Sequence, residues 1–359
     1  MMNVGYYLGA GISIEGIPAA NDMPFRMVFL ATELQKLKLF DDSEVLEGNY
    51  GNYEGKSYNE ILKIMTDEWL EIGEKSKRLT IDTLANENLR EPLYFNKIKR
   101  VLSTYFMIEQ KKEFPFESTK YAEKIDSRIR KFISESAKGR TAGNFTLLND
   151  PIIFTWNYDF QFELALANYL KLPKEYDDWI DESQLALNIN PKIKDYRESE
   201  RAVQHALYKM NGTAGIYKSS RIGFDSDFFI PRLYFYGDFN LYLREILRVF
   251  SIKKLNLDTD YTEINFAFDG NRLINNKKLK IKENASKIER LYVMGYSFPI
   301  VNKSVDEEIF SMMTSIKEIH IYDIPKQEVL LRERARLRSN ISAGSISYFS
   351  NLENIPVYG

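Results

Sequence analysis

The sequence predicts an α/β fold, a parallel sheet with helices on both faces. Three observations carry this. Short apolar runs alternate with helical patterns through the C-terminal half: 152–156 then 160–170, 291–294 then 305–313, 318–322 then 326–337. That order is the mark of right-handed strand–helix–strand crossovers. The run 152–156 is apolar and β-rich, as strands covered on both faces are. And the chain opens on a run of the same kind, Val4 to Leu8, closed by Gly9-Ala10-Gly11. A stretch of purely helical pattern, about 57–140, interrupts the alternation.

The elements follow in order. After the glycine turn, Asp22 is read as an N-cap with Pro24 in the first turn. Phe25, Val28, Phe29, Leu30, Leu34 and Leu37 continue a helix to about Phe40. Residues 47–57 are rich in Asn, Gly and Tyr and read as a surface loop, with a lid as the alternative. Ser57-Tyr58-Asn59-Glu60 is a capping box opening a helix. A second helix is expected over Leu93–Lys111, and a third from Glu117 to Ser136. Pro151 to Trp156 reads as a buried strand and the residues from Phe160 as its helix. Residues 172–204 read as irregular. Ala206 to Met210 is a further strand, and Leu241 to Phe250 a helix. Asp269-Gly270-Asn271 predicts a hairpin turn between Ile264–Phe268 and the residues from Arg272.

Composition narrows the chemistry. With 359 residues and 44% hydrophobic content the chain can hold a large core. A formal net charge of −2 disfavours nucleic acid as a direct ligand. The absence of an 18-residue apolar stretch and of a signal-peptide pattern leads to the expectation of a cytoplasmic protein without a membrane span. There is no Cys, which excludes disulfides, thiolate nucleophiles and cysteine-ligated metals. His205 and His320 are the only histidines, so a histidine-rich metal site is not expected. The Arg332-Arg334-Arg336-Arg338 run reads as a solvated helix face, or else an interface. The aromatic residues 228–239 read as core or interface rather than as a base-stacking platform.

In an open parallel sheet, ligands bind beyond the carboxyl ends of the strands. Small and amide residues gather there: Gly9, Ala10, Gly11 and Ser13; Asn157 and Asp159; Asn211, Gly212 and Thr213; Gly295 and Ser297; Tyr322 and Asp323. Gly9-Ala10-Gly11 lacks the third glycine of a dinucleotide fingerprint, Ile14 standing in its place, and alone it is only a tight turn. Together the strand ends describe a nucleotide crevice.

Gly9-Ala10-Gly11-Ile12-Ser13 followed by Gly16-Ile17-Pro18 resembles the opening motif of sirtuins. Thr155-Trp156-Asn157-Tyr158-Asp159 resembles the Thr-x-Asn-x-Asp segment in the form carried by bacterial sirtuin-like defence proteins. Lys209-Met210-Asn211-Gly212-Thr213 is similar to that family's Lys-Leu-His-Gly-Ser, and Gly295-Tyr296-Ser297 to its Gly-x-Ser. The motifs occur in family order between residue 3 and about 323. The resemblance implies a Rossmann-like NAD-binding domain over 1–45 and 141–359, with 46–140 as a helical insertion. It implies NAD as the ligand or substrate and no metal, since the zinc module of deacetylating sirtuins needs four cysteines. It implies an NAD+ glycohydrolase of anti-phage defence, activated by a signal or a partner ATPase, and a homo-oligomer.

By the same resemblance, Gly9, Ala10, Gly11, Ser13, Pro18, Asn21, Asn157, Asp159, Gly295, Ser297 and Asp323 hold the cofactor. Asn157 holds the ribose or the attacking water, Asp159 the nicotinamide amide, and Asp323 or Tyr322 lies near the adenosine ribose. Asn157, Asp159 and Asn211 are the catalytic candidates. Asn211 stands where the family has its catalytic His, and an amide does not accept a proton near neutral pH. Three accounts follow. Asn211 positions a hydroxyl in a slow dissociative hydrolysis; another group such as His205 or Asp159 replaces the base; or the domain binds NAD or ADP-ribose without cleaving it.

Overall fold

The computed structural model describes residues 2–47, 53–111, 125–172, 179–190, 204–218, 228–229, 238–255, 261–262, 264–269, 272–324, 327–339 and 341–357. Its centre is a seven-stranded sheet, every neighbouring pair parallel. The strands are β1 (Val4–Leu8), β2 (Ile152–Thr155), β3 (Ile189–Asn190), β4 (Ala206–Lys209), β5 (Arg290–Met294), β6 (Glu318–Tyr322) and β7 (Ile346–Phe349). Their spatial order is β7-β6-β5-β1-β2-β4-β3. The chain leaves β1 toward β2 on one side and returns later to β5 on the other. The β1/β5 boundary is therefore the topological switch point, where open α/β sheets place their ligands. Register brings Leu8 level with Met294 and with Thr155, and Thr155 level with Lys209. Four strands thus end on one line.

Helices cover both faces, and successive strand residues divide between them. Tyr6, Leu8, Ile153, Leu207, Tyr292 and Met294 belong to one apolar cluster. It is covered by α1 (Met23–Lys36), α2 (Tyr58–Ser76), α3 (Ile81–Glu87), α4 (Pro92–Lys111), α5 (Ser127–Ser136), α6 (Gln161–Leu170), α7 (Trp179–Ala186) and α8 (Phe239–Leu255). Tyr7, Phe154, Tyr208, Leu291 and Val293 face the other way. There α9 (Arg272–Ala285), α10 (Lys303–Met312) and α11 (Glu328–Ser339) cover them. This is a Rossmann-like α/β architecture. Helices α2–α5 share one continuous core with α1 and the sheet.

The capping box forms as expected: Glu60 N–H donates to Ser57 Oγ at 3.2 Å and Ser57 N–H to Glu60 Oε2 at 2.8 Å. Other boundaries differ from expectation. Asp22 stands at the N-cap position of α1 without capping it through its side chain, and Leu37, in extended conformation, ends the helix before Phe40. The third expected helix begins at Ser127, where Asp126 Oδ1 accepts the Arg128 N–H; residues 117–124 lie outside the described residues. Within 172–204, α7 and β3 are regular: Trp179, Ile180, Ala186 and Ile189 are buried, a signal too short to stand out among polar neighbours. The second arm of the expected hairpin is instead a helix, Arg272–Ala285, and Gly270 and Asn271 of its turn lie outside the described residues. Among its described side chains, Ile281 and Ala285 anchor it on the core, four residues apart among lysines and asparagines, a faint helical period. Strand β7 was not foreseen. Of the 47–57 loop, residues 48–52 lie outside the described residues, and Tyr53 is buried with its ring 6.4 Å from that of Phe250. Of the aromatic stretch, 230–237 lies outside them too; Phe239 is buried at the start of α8.

Candidate functional site

The turns that leave β1, β2, β4 and β5 converge. Gly9 N–H donates to Met294 O and Gly11 N–H to Gly295 O, each at 3.0 Å. Trp156 N–H reaches Leu8 O at 3.0 Å, and Met210 N–H reaches Thr155 O at 2.8 Å. The sheet ladder is thus carried past the strand ends. A Cβ on Gly9 would sit 2.4 Å from Gly295 O, and one on Gly11 2.6 Å from Gly295 Cα. These glycines are fixed by the close approach of the two loops at the switch point.

Above this floor lies a cleft of about 710 Å³, counting space open to solvent. It is lined by Gly9, Ala10, Ser13, Ile17, Pro18, Ala20 and Met23 from the first loop and α1. Trp156, Asn157, Tyr158, Asp159 and Asn211 come from the β2 and β4 ends. Gly295, Tyr296, Ser297, Pro299 and Asn302 follow β5, and Asp82 and Phe106 come from α3 and α4. So Gly9, Ala10, Ser13, Pro18, Asn157, Asp159, Asn211, Gly295 and Ser297 share one cavity. Gly11 is outside the lining, packed against Gly295. Asn21 is exposed and outside the lining, in the turn before α1. Asp323 is also outside, at the end of β6, where its Oδ1 accepts the Ile324 N–H at 2.6 Å.

The polar groups are locked by one another. Asn157 Nδ2 donates to Ser13 Oγ at 2.9 Å, and Asn157 N–H to Thr155 Oγ1 at 3.2 Å. Asn211 Nδ2 donates to Trp156 O at 2.7 Å. A carbonyl accepts only a donor, which fixes the orientation of that amide. Asp159 Oδ1 accepts the Gln161 N–H at 3.0 Å, closing the turn into α6. Beneath it the buried Lys209 ammonium donates to Asp159 O and to Glu163 Oε1, both at 2.6 Å. Burial pushes the Asp159 carboxyl up to about 6, against the pull of Lys209. Burial also pushes Asp82 up to about 6. Among the described residues, no Lys, Arg or His lines the cleft.

The loop after β5 is braced from behind. Arg338 Nη2 donates to Phe298 O at 2.8 Å and to Pro299 O at 2.9 Å, and Arg334 Nη1 to Ser297 O at 2.7 Å. Arg338 also pairs with Asp306 at 2.9 Å. Asp306 Oδ1 accepts the hydroxyls of Tyr7 (2.6 Å) and Tyr296 (2.9 Å). Phe298 takes a left-handed backbone, φ +52°, rare for an aromatic residue and costing about 1–3 kcal/mol. The arginine run is therefore not one solvated face. Arg332 and Arg336 pair with Glu328 and Glu333 in solvent, while Arg334 and Arg338 hold the cleft wall. Tyr296 stacks on Trp156 at 5.8 Å and 9°, joining the loops after β5 and β2.

Sequence reasoning missed Asp82, Phe106 and Asn302 as lining residues, and treated Trp156, Tyr158 and Tyr296 as spacers. Asp82 is one of several acids in helical first turns, and nothing local shows that α3 reaches the sheet edge. His205 does not reach the cleft. It precedes β4, at the opposite end of that strand from Asn211, and its Nε2 meets Ala186 O at 2.9 Å. Burial lowers its proton affinity. His320 lies within β6 with its Nε2 2.8 Å from Glu318.

The chain matches no protein-family model and no curated protein. Among the described residues, no three His, Asp or Glu side chains are grouped to hold a metal ion. Nor is any helix among them long and apolar enough to cross a membrane.

Proposed function

We propose that the cleft binds NAD and that the protein cleaves its nicotinamide–ribose bond, giving nicotinamide and ADP-ribose. The observation that carries this reading is the meeting of Gly9, Ser13, Asn157, Asp159, Asn211, Gly295 and Ser297 in one cavity at the β1/β5 switch point. These come from four segments far apart in sequence, and each stands in a motif that resembles the sirtuin-like pattern.

The chemistry fits the cavity. Departure of neutral nicotinamide leaves positive charge on the ribose, which carboxylates and oriented dipoles stabilise. Asp159 and Asp82 supply the carboxylates, and the Asn157 and Asn211 amides supply fixed dipoles. Trp156, Tyr158, Phe106 and Tyr296 offer flat apolar surface to a pyridinium ring. The Ala10 backbone and the Ser13 hydroxyl, rather than a basic side chain, would meet the diphosphate, the Gly9 and Gly11 N–H groups being spent on Met294 O and Gly295 O.

The biological setting we propose rests on the resemblance: a cytoplasmic anti-phage protein that depletes NAD as a homo-oligomer, held inactive until a signal or partner ATPase acts. A second reading is favoured by Asn211, which cannot serve as a base. In it the cleft binds NAD or ADP-ribose without breaking it and senses the nucleotide for a partner.

Chromatography of NAD incubated with the purified chain separates the two. The first reading expects nicotinamide and ADP-ribose in equal amounts. Tight NAD binding with no product, alone and with a co-expressed ATPase, supports the second.

A further inference from the structure

This inference rests on the NAD-cleaving reading above. We propose that Asp82, carried by the helical block rather than by the sheet, is the base that takes the proton from the attacking water.

The cleft leaves few alternatives. Its amides, Asn157 and Asn211, are not bases, and His205 lies at the far end of β4. Two carboxylates line it, Asp159 and Asp82. Asp159 is engaged: its Oδ1 closes the turn into α6 through the Gln161 N–H, and Ser13 also bonds to its side chain. Asp82 is nearly free. Its Oδ1 has one long contact, 3.4 Å from the Tyr158 hydroxyl, and its Oδ2 has no partner among the described residues.

The position of Asp82 is nonetheless fixed. Thr80 caps α3 by accepting the Thr83 N–H at 3.2 Å, and Ile81, Leu84 and Ala85 are buried on the inner side. The bland account, that Asp82 only complements the helix N-terminus, explains an acid in the first turn. It does not explain an acid that lines the cleft beside Tyr158. Burial sets its proton affinity near 6, close to that of an effective base at neutral pH. Of the other lining groups, Tyr158 donates to it and Asp159, also pushed up to about 6, titrates in the same range. Burial keeps Tyr158 protonated well above neutrality. On α4 and α2, Lys99 is paired with Asp269 and Arg100 with Glu68. Asn302 and Phe106 do not ionise, and Asp159 is the other titrating group of the lining.

The step balances. The C1′–N bond breaks and its electron pair stays on the ring nitrogen, turning pyridinium into neutral nicotinamide. Water oxygen bonds to C1′, and its proton passes to the Asp82 carboxylate and then to solvent.

The test measures nicotinamide release by the full chain from pH 5 to 9, for the native protein, Asp82→Asn and Asp82→Glu, with NAD affinity by calorimetry and Tm for each. We expect Asp82→Asn to lower kcat by about 10²-fold or more while NAD affinity changes little. We expect the native rate to fall below pH 6 on an acid limb to which Asp82 and Asp159 both contribute, that limb to be shallower in Asp82→Asn, and Asp82→Glu to recover part of the rate. An Asp82→Asn variant with native kcat and pH profile overturns the proposal and leaves NAD cleavage standing. Native protein that binds NAD without turnover overturns the proposal in favour of the binding reading. Native protein that does not bind NAD overturns both. Should Asp82→Asn lose its fold, a native profile without an acid limb near pH 6 overturns the proposal by itself.

Discussion

Asn157 Nδ2 donates to Ser13 Oγ at 2.9 Å, a bond between residues 144 positions apart that ties the loop after β2 to the loop after β1. Both residues line the cleft. Removing the amide takes away a fixed dipole and frees the first loop. Asn157→Ala is expected to lower NAD cleavage by about 10²–10³-fold, the range for loss of one oriented donor. Ser13→Ala, which keeps the amide but unlocks it, is expected to cost less. Steady-state rates of nicotinamide release check both. Equal rates for Asn157→Ala and native protein would remove Asn157 from the chemistry.

Gly9→Ala tests the floor rather than the ligand. Its methyl group would lie 2.4 Å from Gly295 O and 2.7 Å from Tyr296 Cα, both backbone atoms with little room to yield. The expected loss of stability is at least about 1–3 kcal/mol, as for overpacked sites. Urea denaturation measures it. An unchanged midpoint would mean that the loops after β1 and β5 are not in contact.

Asp159 gives stability a pH dependence of defined sign. Its carboxyl titrates near 3.8 in the unfolded chain and near 6 when buried, so folding takes up a proton between those values. The contribution is fully present below 3.8 and is lost as pH rises through 6. Asp159→Asn keeps the acceptor for Gln161 and carries no charge. It should be more stable than native protein at pH 8, by about 1–3 kcal/mol, with the gap closing toward pH 4. Denaturation at the two pH values checks this. A gap of equal size at both contradicts it.

Arg338 links stability to binding. It pairs with buried Asp306 and donates to Phe298 O and Pro299 O at the cleft wall. Arg338→Met leaves Asp306 without its cation and is expected to cost about 3–5 kcal/mol. The strained Phe298 turn loses its brace, so NAD affinity should fall as well. Calorimetry on the folded variant reads that effect. Native affinity would show that the Phe298 turn holds itself.

The parallel sheet was legible because β1, β2, β4 and β5 are short, mostly apolar runs bounded by turn formers, and β6 alternates Ile319 and Ile321 with polar residues before Asp323. The pocket floor was legible because Gly9, Asn157, Asn211 and Gly295 sit just beyond strand ends, where sequence order alone predicts convergence. What was hidden depends on tertiary reach. α9 rests on Ile281 and Ala285 amid lysine and asparagine. α7 and β3 are too short to carry a period. Asp82 reaches the cleft only because α3 packs near residues 300–302 and α4, a contact that no local pattern encodes. Arg338 looked like one charge in a solvated row, although burial against Asp306 makes it part of the wall.

The central claim is that this cleft holds NAD. Calorimetric titration of NAD into the full native chain, and into Ala10→Trp with the same Tm, tests it most directly, since Ala10 lines the cleft and an indole there would fill it. The account predicts saturable one-site binding to the native protein and none to Ala10→Trp. Absence of binding to the native protein, or equal binding to both, would contradict it.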